Sequence, residues 1–338
     1  MADERSRTEP RPLGASGVRV SPIGLGLAAV GRPAYINLGR QEDLGDARRV
    51  EAMETRTHAV LDEAWRLGVR YVDAARSYGR AEVFLGGWLG SRGIGPGDVV
   101  VGSKWGYAYT GDWRLDAETH EVKDLSLSHF AKQYAETRER LGEQLELYQA
   151  HSVTLESGML EDRRLLAALA ALKDQGVLVG LTTSGPAQAQ VIARTLEVRV
   201  DGVRVFDTVQ ATWNLFERSA EPALAEARAA GLGVIVKEAL ANGRLTARNL
   251  PAEAARHRAR LEAQAERLGT TVDALALAAA LERPWADVVL SGAVSVEQVR
   301  SNLAALGVAL DEEAKESLDR LVGRPEAYWT RRAALSWR

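Results

Sequence analysis

Eight short apolar runs, separated by amphipathic stretches, restrict the fold of this chain more than any other feature. The first lies around Pro22–Leu27; the others are RYVDA, DVVVGSK, LELYQAHS, VLVGLTT, DTVQATW, GVIVKEA and DVVLSGA. They lack polar–apolar alternation, which is how strands buried on both faces of a parallel sheet read. Between them, apolar spacing predicts helices over roughly 51–67, 79–91, 128–144, 160–175, 186–196, 220–230, 252–268 and 296–305. Eight strand–helix repeats predict an α/β fold, a (β/α)8 TIM barrel, with a doubly wound open sheet as the rival. Ahead of the first strand, RPLGASGVRVSP predicts a β-hairpin turning at Ala15–Gly17. No linker composition interrupts the repeats, so we expect a flexible tail over residues 1–11 and one barrel domain over 12–338.

Three connections are longer than a barrel needs and are expected to be binding loops: 28–50, 105–127 and the tail 323–338. The second carries Trp105, Tyr107, Tyr109 and Trp113, and we expect Trp105, Tyr107 and Trp113 to wall an organic substrate. The chemistry has to come from oxygen and nitrogen groups. There is no cysteine, and the five histidines include no His-x-x-x-His pair, so no metal site is expected. A formal net charge of −3 without a basic run argues against nucleic acid. A polar N-terminus and the lack of a long apolar span lead us to expect a cytoplasmic protein with no membrane partner.

In a barrel, polar residues at C-terminal strand ends form the active site. The second run ends at Asp73, the third at Lys104 and the fourth at His151, with Tyr78 just past the second. Adjacent strands lie about 4.8 Å apart, so an acid, an amine and an imidazole converge with a phenol. A phenol titrates near ~10, and a nearby ammonium is expected to lower that value. Asp73 would balance the lysine, and His151 would orient a carbonyl oxygen. Such a set suits protonation of an alkoxide as it forms. Gly24-x-Gly26-x-x-Ala29 fits a dinucleotide fingerprint formally, but Pro33, Asn37 and Gly39 break the helix it should open.

Six segments in order, VDAARSYGRAEVFLG, VGSKWG, LYQAHS, VQATWNLFER, EALANGRLT and LSGAVSVEQVRSNLAA, resemble the aldo-keto reductase superfamily. The resemblance covers about residues 12–310 and implies a catalytic tetrad of Asp73, Tyr78, Lys104 and His151, with Tyr78 the general acid. It implies a nicotinamide dinucleotide and a small-molecule carbonyl substrate. Gln210 would bond the carboxamide, as would Thr182 and Thr183, which replace a usual serine–asparagine pair. Leu240, Ala241 and Gly243 would line the pyrophosphate; Gly292, Gln298 and Asn302 would meet the adenosine end. Lys237 stands where an aromatic ring normally stacks on the nicotinamide; either it reaches toward a phosphate, or another ring, Trp105 or Trp213, takes over the stacking. Arg244 or Arg248 would hold a 2′-phosphate, which favours NADPH, with NADH as the alternative.

The resulting expectation is NAD(P)H-dependent reduction of an aldehyde or ketone to an alcohol. Two alternatives remain at this stage: a cofactor-sensing partner subunit of the kind potassium channels use, and an isomerase or dehydratase that recycles its cofactor. No pattern fixes the substrate or the oligomeric state.

Overall fold

The apolar runs pair edge to edge in the computed structural model, which describes residues 9–45, 47–249 and 254–337. The strands are β1 Ile23–Gly26, β2 Tyr71–Asp73, β3 Val100–Trp105, β4 Leu145–Val153, β5 Leu178–Thr183, β6 Thr208–Thr212, β7 Gly233–Lys237 and β8 Val288–Ser291. All pair in parallel, and β8 returns to β1 to close the barrel. With helices between the strands this is the (β/α)8 TIM barrel, not the open sheet.

The barrel interior is filled, not hollow. Tyr71, Val100, Leu147, Ile235 and Val288 form one buried cluster, which Leu13 and Val20 of the hairpin join. Arg11–Pro12 pairs antiparallel with Arg19–Val20, so the hairpin plugs the N-terminal end of the barrel. Arg11 therefore belongs to the hairpin and not to the expected tail, whose residues 1–8 lie outside the described residues. The Tyr71 ring takes its space from small neighbours. A Cβ at Gly24 would meet that ring at 2.7 Å, and one at Gly102 its hydroxyl at 2.7 Å.

Helix Val50–Arg66 shows why periodicity worked: Met53, Thr57, Val60, Leu61 and Ala64 share its buried stripe. Helix Val272–Leu281 shows where it failed. This segment, VDALALAAAL, has almost every residue buried, so no polar face betrayed it. The connection from β7 to β8 thus carries two helices, Ala255–Arg267 and Val272–Leu281; positions 252–253 of the expected first helix lie outside the described residues. All three expected loops also contain regular structure, the first a short helix, Arg40–Leu44. Tyr107–Tyr109 pairs antiparallel with Glu121–Lys123, and the tail contains helix Pro325–Ala333, started by Pro325 in its first turn. Among the described residues, no helix is long and apolar enough to cross a membrane.

Candidate active site

β2 and β3 are register neighbours, Asp73 opposite Gly102, which sets Asp73 beside the inward Lys104. The Lys104 ammonium, fully buried, donates to Asp73 Oδ2, to the Ala74 carbonyl at 2.9 Å and to the Tyr78 hydroxyl at 3.3 Å. The second Asp73 oxygen accepts from Gln210 Nε2 at 3.0 Å, Gln149 Nε2 at 3.3 Å and the Tyr71 hydroxyl at 3.3 Å. Both oxygens of this buried carboxylate therefore face donors, as a buried charge requires. Tyr78 is fixed by its turn: Gly79 has φ +61°, and a Cβ there would sit 2.6 Å from the Gly31 carbonyl.

His151 comes from an irregular end of β4, where the pairing with β5 shifts between Ala150 and Val153. Ser152 takes φ +54° there, and its N–H donates to Thr182 Oγ1 at 2.7 Å. The imidazole ends up edge-on to Tyr78 and to Tyr107, with centroids 5.5 and 5.1 Å apart. Burial, then the charges of Lys104 and Lys237, holds its pKa well below the usual range, so the ring is neutral and carries one N–H donor. Burial also lowers Lys104, opposed by Asp73.

Tyr78 departs from the sequence expectation. Burial and the Asp73 charge raise its pKa well above the ordinary phenol value. The ammonium at 3.3 Å does not overcome them, and the phenol keeps its proton.

These groups lie at the floor of a cavity of about 480 Å³, within the range of small-molecule and cofactor sites. Gly26, Asp73, His151, Lys237 and Ser291 reach it from the C-terminal ends of β1, β2, β4, β7 and β8. Tyr78, Gln210, Leu240, Gly243, Gly292, Gln298, Asn302 and Tyr107 also line it, as the sequence led us to expect. Lys104 sits behind them.

Five expected contacts do not reach the cavity. Thr182 is spent on Ser152, and Thr183 is fully buried with Gln188 Oε1 at 3.5 Å. Ala241 is buried in its turn. Trp105 packs against Phe130 in the core, ring centroids 5.1 Å apart. Trp113 lies edge-on to Phe84 and donates its indole N–H to the Arg48 carbonyl at 2.7 Å. Trp213 does not replace the missing stacking ring either, since it is buried edge-on to Trp285 and bonds Glu221.

Sequence reading missed the charged rim. Arg32, 2% exposed, pairs with Glu121 at 2.8 Å and faces the rings of Tyr35, Tyr78 and Trp337. Trp337 stacks on His120 at 4.7 Å, so the C-terminus roofs the cavity. Glu238, at φ +55°, accepts from Arg332 Nε at 2.8 and 3.0 Å. Burial opposes its ionisation, but Arg332 and Lys237 hold its pKa at about 2. The signal available in sequence was the acid–base pair Lys237–Glu238 at a strand end; the partners that give it meaning, Tyr328 and Arg332, lie 90 and 94 residues further on.

The remaining lining suits a dinucleotide. Gly292 leaves open space where a Cβ would sit, beside the start of helix Val296–Leu303. The Asn242 side-chain oxygen is buried on the cavity wall without a hydrogen-bond partner. Arg248 reaches the same wall and pairs with Asp43 at 2.5 Å, whose carboxylate also accepts from Gln298 Nε2 at 2.9 Å. Arg244 instead lies over the Tyr328 ring, 4.4 Å from its centroid.

Comparison with known proteins agrees. The model described as "Aldo/keto reductase family" matches residues 22–322, and the chain belongs to that family. It is 26% identical to an uncharacterized oxidoreductase, YrpG, of Bacillus subtilis strain 168, over 94% of this chain and 98% of that protein. It is 25% identical to the NADH-specific methylglyoxal reductase of Escherichia coli K12, over 91% of this chain and 99% of that protein. The fold matches aldo-keto reductase AKR11C1 from Bacillus halodurans (holo form) with a TM-score of 0.70 at 23% identity, covering 93% of this chain and 96% of that one. The chain is an NAD(P)-dependent oxidoreductase.

Proposed function

We propose, from membership of the aldo/keto reductase family and from the convergence of four side chains, that this chain reduces an aldehyde or ketone, with Tyr78 as the proton donor. The observation that carries the reading is Lys104, which donates to Asp73 and to the Tyr78 oxygen at once. Because the ammonium occupies a lone pair of that oxygen, the phenolic O–H is left to face the cavity. When bound, the reduced nicotinamide supplies the hydride. His151, neutral, donates its N–H to the carbonyl oxygen and holds it near Tyr78. As negative charge grows on that oxygen, Tyr78 passes its proton across, and Lys104 stabilises the phenolate left behind. Asp73 keeps the ammonium charged despite its burial. Solvent then returns the proton to Tyr78 for the next turnover.

Leu240, Asn242 and Gly243 would follow the pyrophosphate, and Gly292, Gln298 and Asn302 the adenosine. On this reading the Asp43–Arg248 pair sets the choice of nucleotide. Paired, Asp43 accepts from a ribose 2′-hydroxyl and serves NADH; NADPH requires Arg248 to leave Asp43 for the 2′-phosphate.

Tyr78→Phe tests the assignment. It keeps the ring and removes the proton, so turnover of an aldehyde panel should fall by at least ~10²-fold, while NADPH binding, read by tryptophan quenching, stays within twofold or so. A variant that still turns over would remove Tyr78 from the role.

A further inference from the structure

Four cations line the cavity among the described residues: Arg32, Lys237, Arg248 and Arg332. Three are matched with carboxylates, Arg32 with Glu121, Arg248 with Asp43 and Arg332 with Glu238. Lys104, behind the wall, has Asp73. Lys237 is different. Its Nζ donates to the Thr212 hydroxyl at 3.1 Å and lies 6.0 Å from the Trp329 ring centroid. Neither partner carries a charge. Its chain neighbour Glu238 is already held by Arg332 and receives the Thr212 hydroxyl at 3.3 Å and the Tyr328 hydroxyl at 3.4 Å. No described carboxylate forms an ion pair with Lys237.

A half-buried ammonium with no carboxylate in direct contact is costly, and an anionic ligand oxygen would complete the pair. Lys237 ends β7 and lines the same cavity as Tyr78 and His151.

We propose that Lys237 binds an anionic oxygen group of the ligand, carboxylate or phosphate, so that the preferred substrates are carbonyl compounds bearing such a group. The substrate assignment rests on the reductase reading, whereas anion binding by Lys237 does not. The same chemistry is present in the cofactor's phosphates, and the experiment separates the two sources.

Calorimetric titrations of wild type, Lys237→Met and Lys237→Arg use two probes, oxamate and inorganic pyrophosphate, each with and without NADPH. Thermal midpoints confirm that all three proteins are folded. The expected result is that oxamate binds the NADPH complex of wild type, loses about ten- to hundredfold in Lys237→Met, and is largely restored in Lys237→Arg, with NADPH affinity unchanged. If pyrophosphate and NADPH lose affinity while oxamate does not, the anion is the cofactor's and the substrate class falls. If both probes bind Lys237→Met within twofold of wild type, or neither binds wild type, the proposal is overturned. Failure of both NADPH and NADH to bind would instead count against the reductase reading, since the probes also report on the free protein.

Discussion

Lys104→Met takes the ammonium out of the centre while keeping most of the side chain's volume. Lys104 is fully buried and makes three hydrogen bonds, so the loss is not cushioned by solvent. Removing one partner of a buried pair costs about 3–5 kcal/mol, because the other charge is left behind. Unfolding entropy of ~2.1 cal/mol/K per residue gives about 0.7 kcal/mol/K for 338 residues. The thermal midpoint should therefore fall by about 4–7 °C. Adding Asp73→Asn removes the stranded charge, and the amide oxygen still accepts from Gln210, Gln149 and Tyr71. The double variant should thus melt above Lys104→Met, with a coupling of about 1–3 kcal/mol. Scanning calorimetry on wild type, both single variants and the double variant closes the cycle. A double variant that melts below Lys104→Met, or a single variant within about 0.5 kcal/mol of wild type, would refute the idea that Asp73 and Lys104 are one charge pair.

Asp43→Ala should free Arg248 and raise the NADPH-to-NADH affinity ratio by about tenfold, the size of a charge-assisted contact; an unchanged ratio in parallel titrations removes this pair from nucleotide choice. A pH dependence follows from Lys237, whose pKa burial lowers to about 8 against the pull of Glu238. Oxamate affinity should be full below pH 8 and fall above it as the ammonium loses its proton. Around it, Glu238 stays ionised, His151 neutral and Arg332 charged, while Lys104, also lowered by burial, lies behind the wall against Asp73. A flat affinity profile between pH 7 and about 9.5 would mean that another group holds the anion.

The strands were legible because burial on both faces forces unbroken apolar runs, and Asp73, Lys104 and His151, with Tyr78 just past the second strand, because a barrel sends its strand ends to one mouth. The same reasoning failed wherever meaning depends on partners far along the chain. Trp105 sits one residue past Lys104, and strand alternation turns it outward against Phe130 instead of toward the cavity. Thr182 looks like a ligand contact in sequence, yet the β4 irregularity brings the Ser152 N–H to it first. Arg32 and Arg332 look like surface arginines until Glu121 and Glu238 are placed beside them. The sign of the Tyr78 shift was missed for a related reason, because burial outweighs the lysine and its depth is a property of the packed barrel.

On the proposed function, hydride passes directly from a reduced nicotinamide to a carbonyl carbon beside Tyr78. The most direct measurement of this transfer is a single turnover with NADPH carrying deuterium at both C4 positions, followed by mass analysis of the product. One deuterium is expected on the carbinol carbon for each NADPH oxidised. Product without deuterium, or turnover without accumulation of NADP⁺, would contradict direct transfer and point to a cofactor that is recycled within the site.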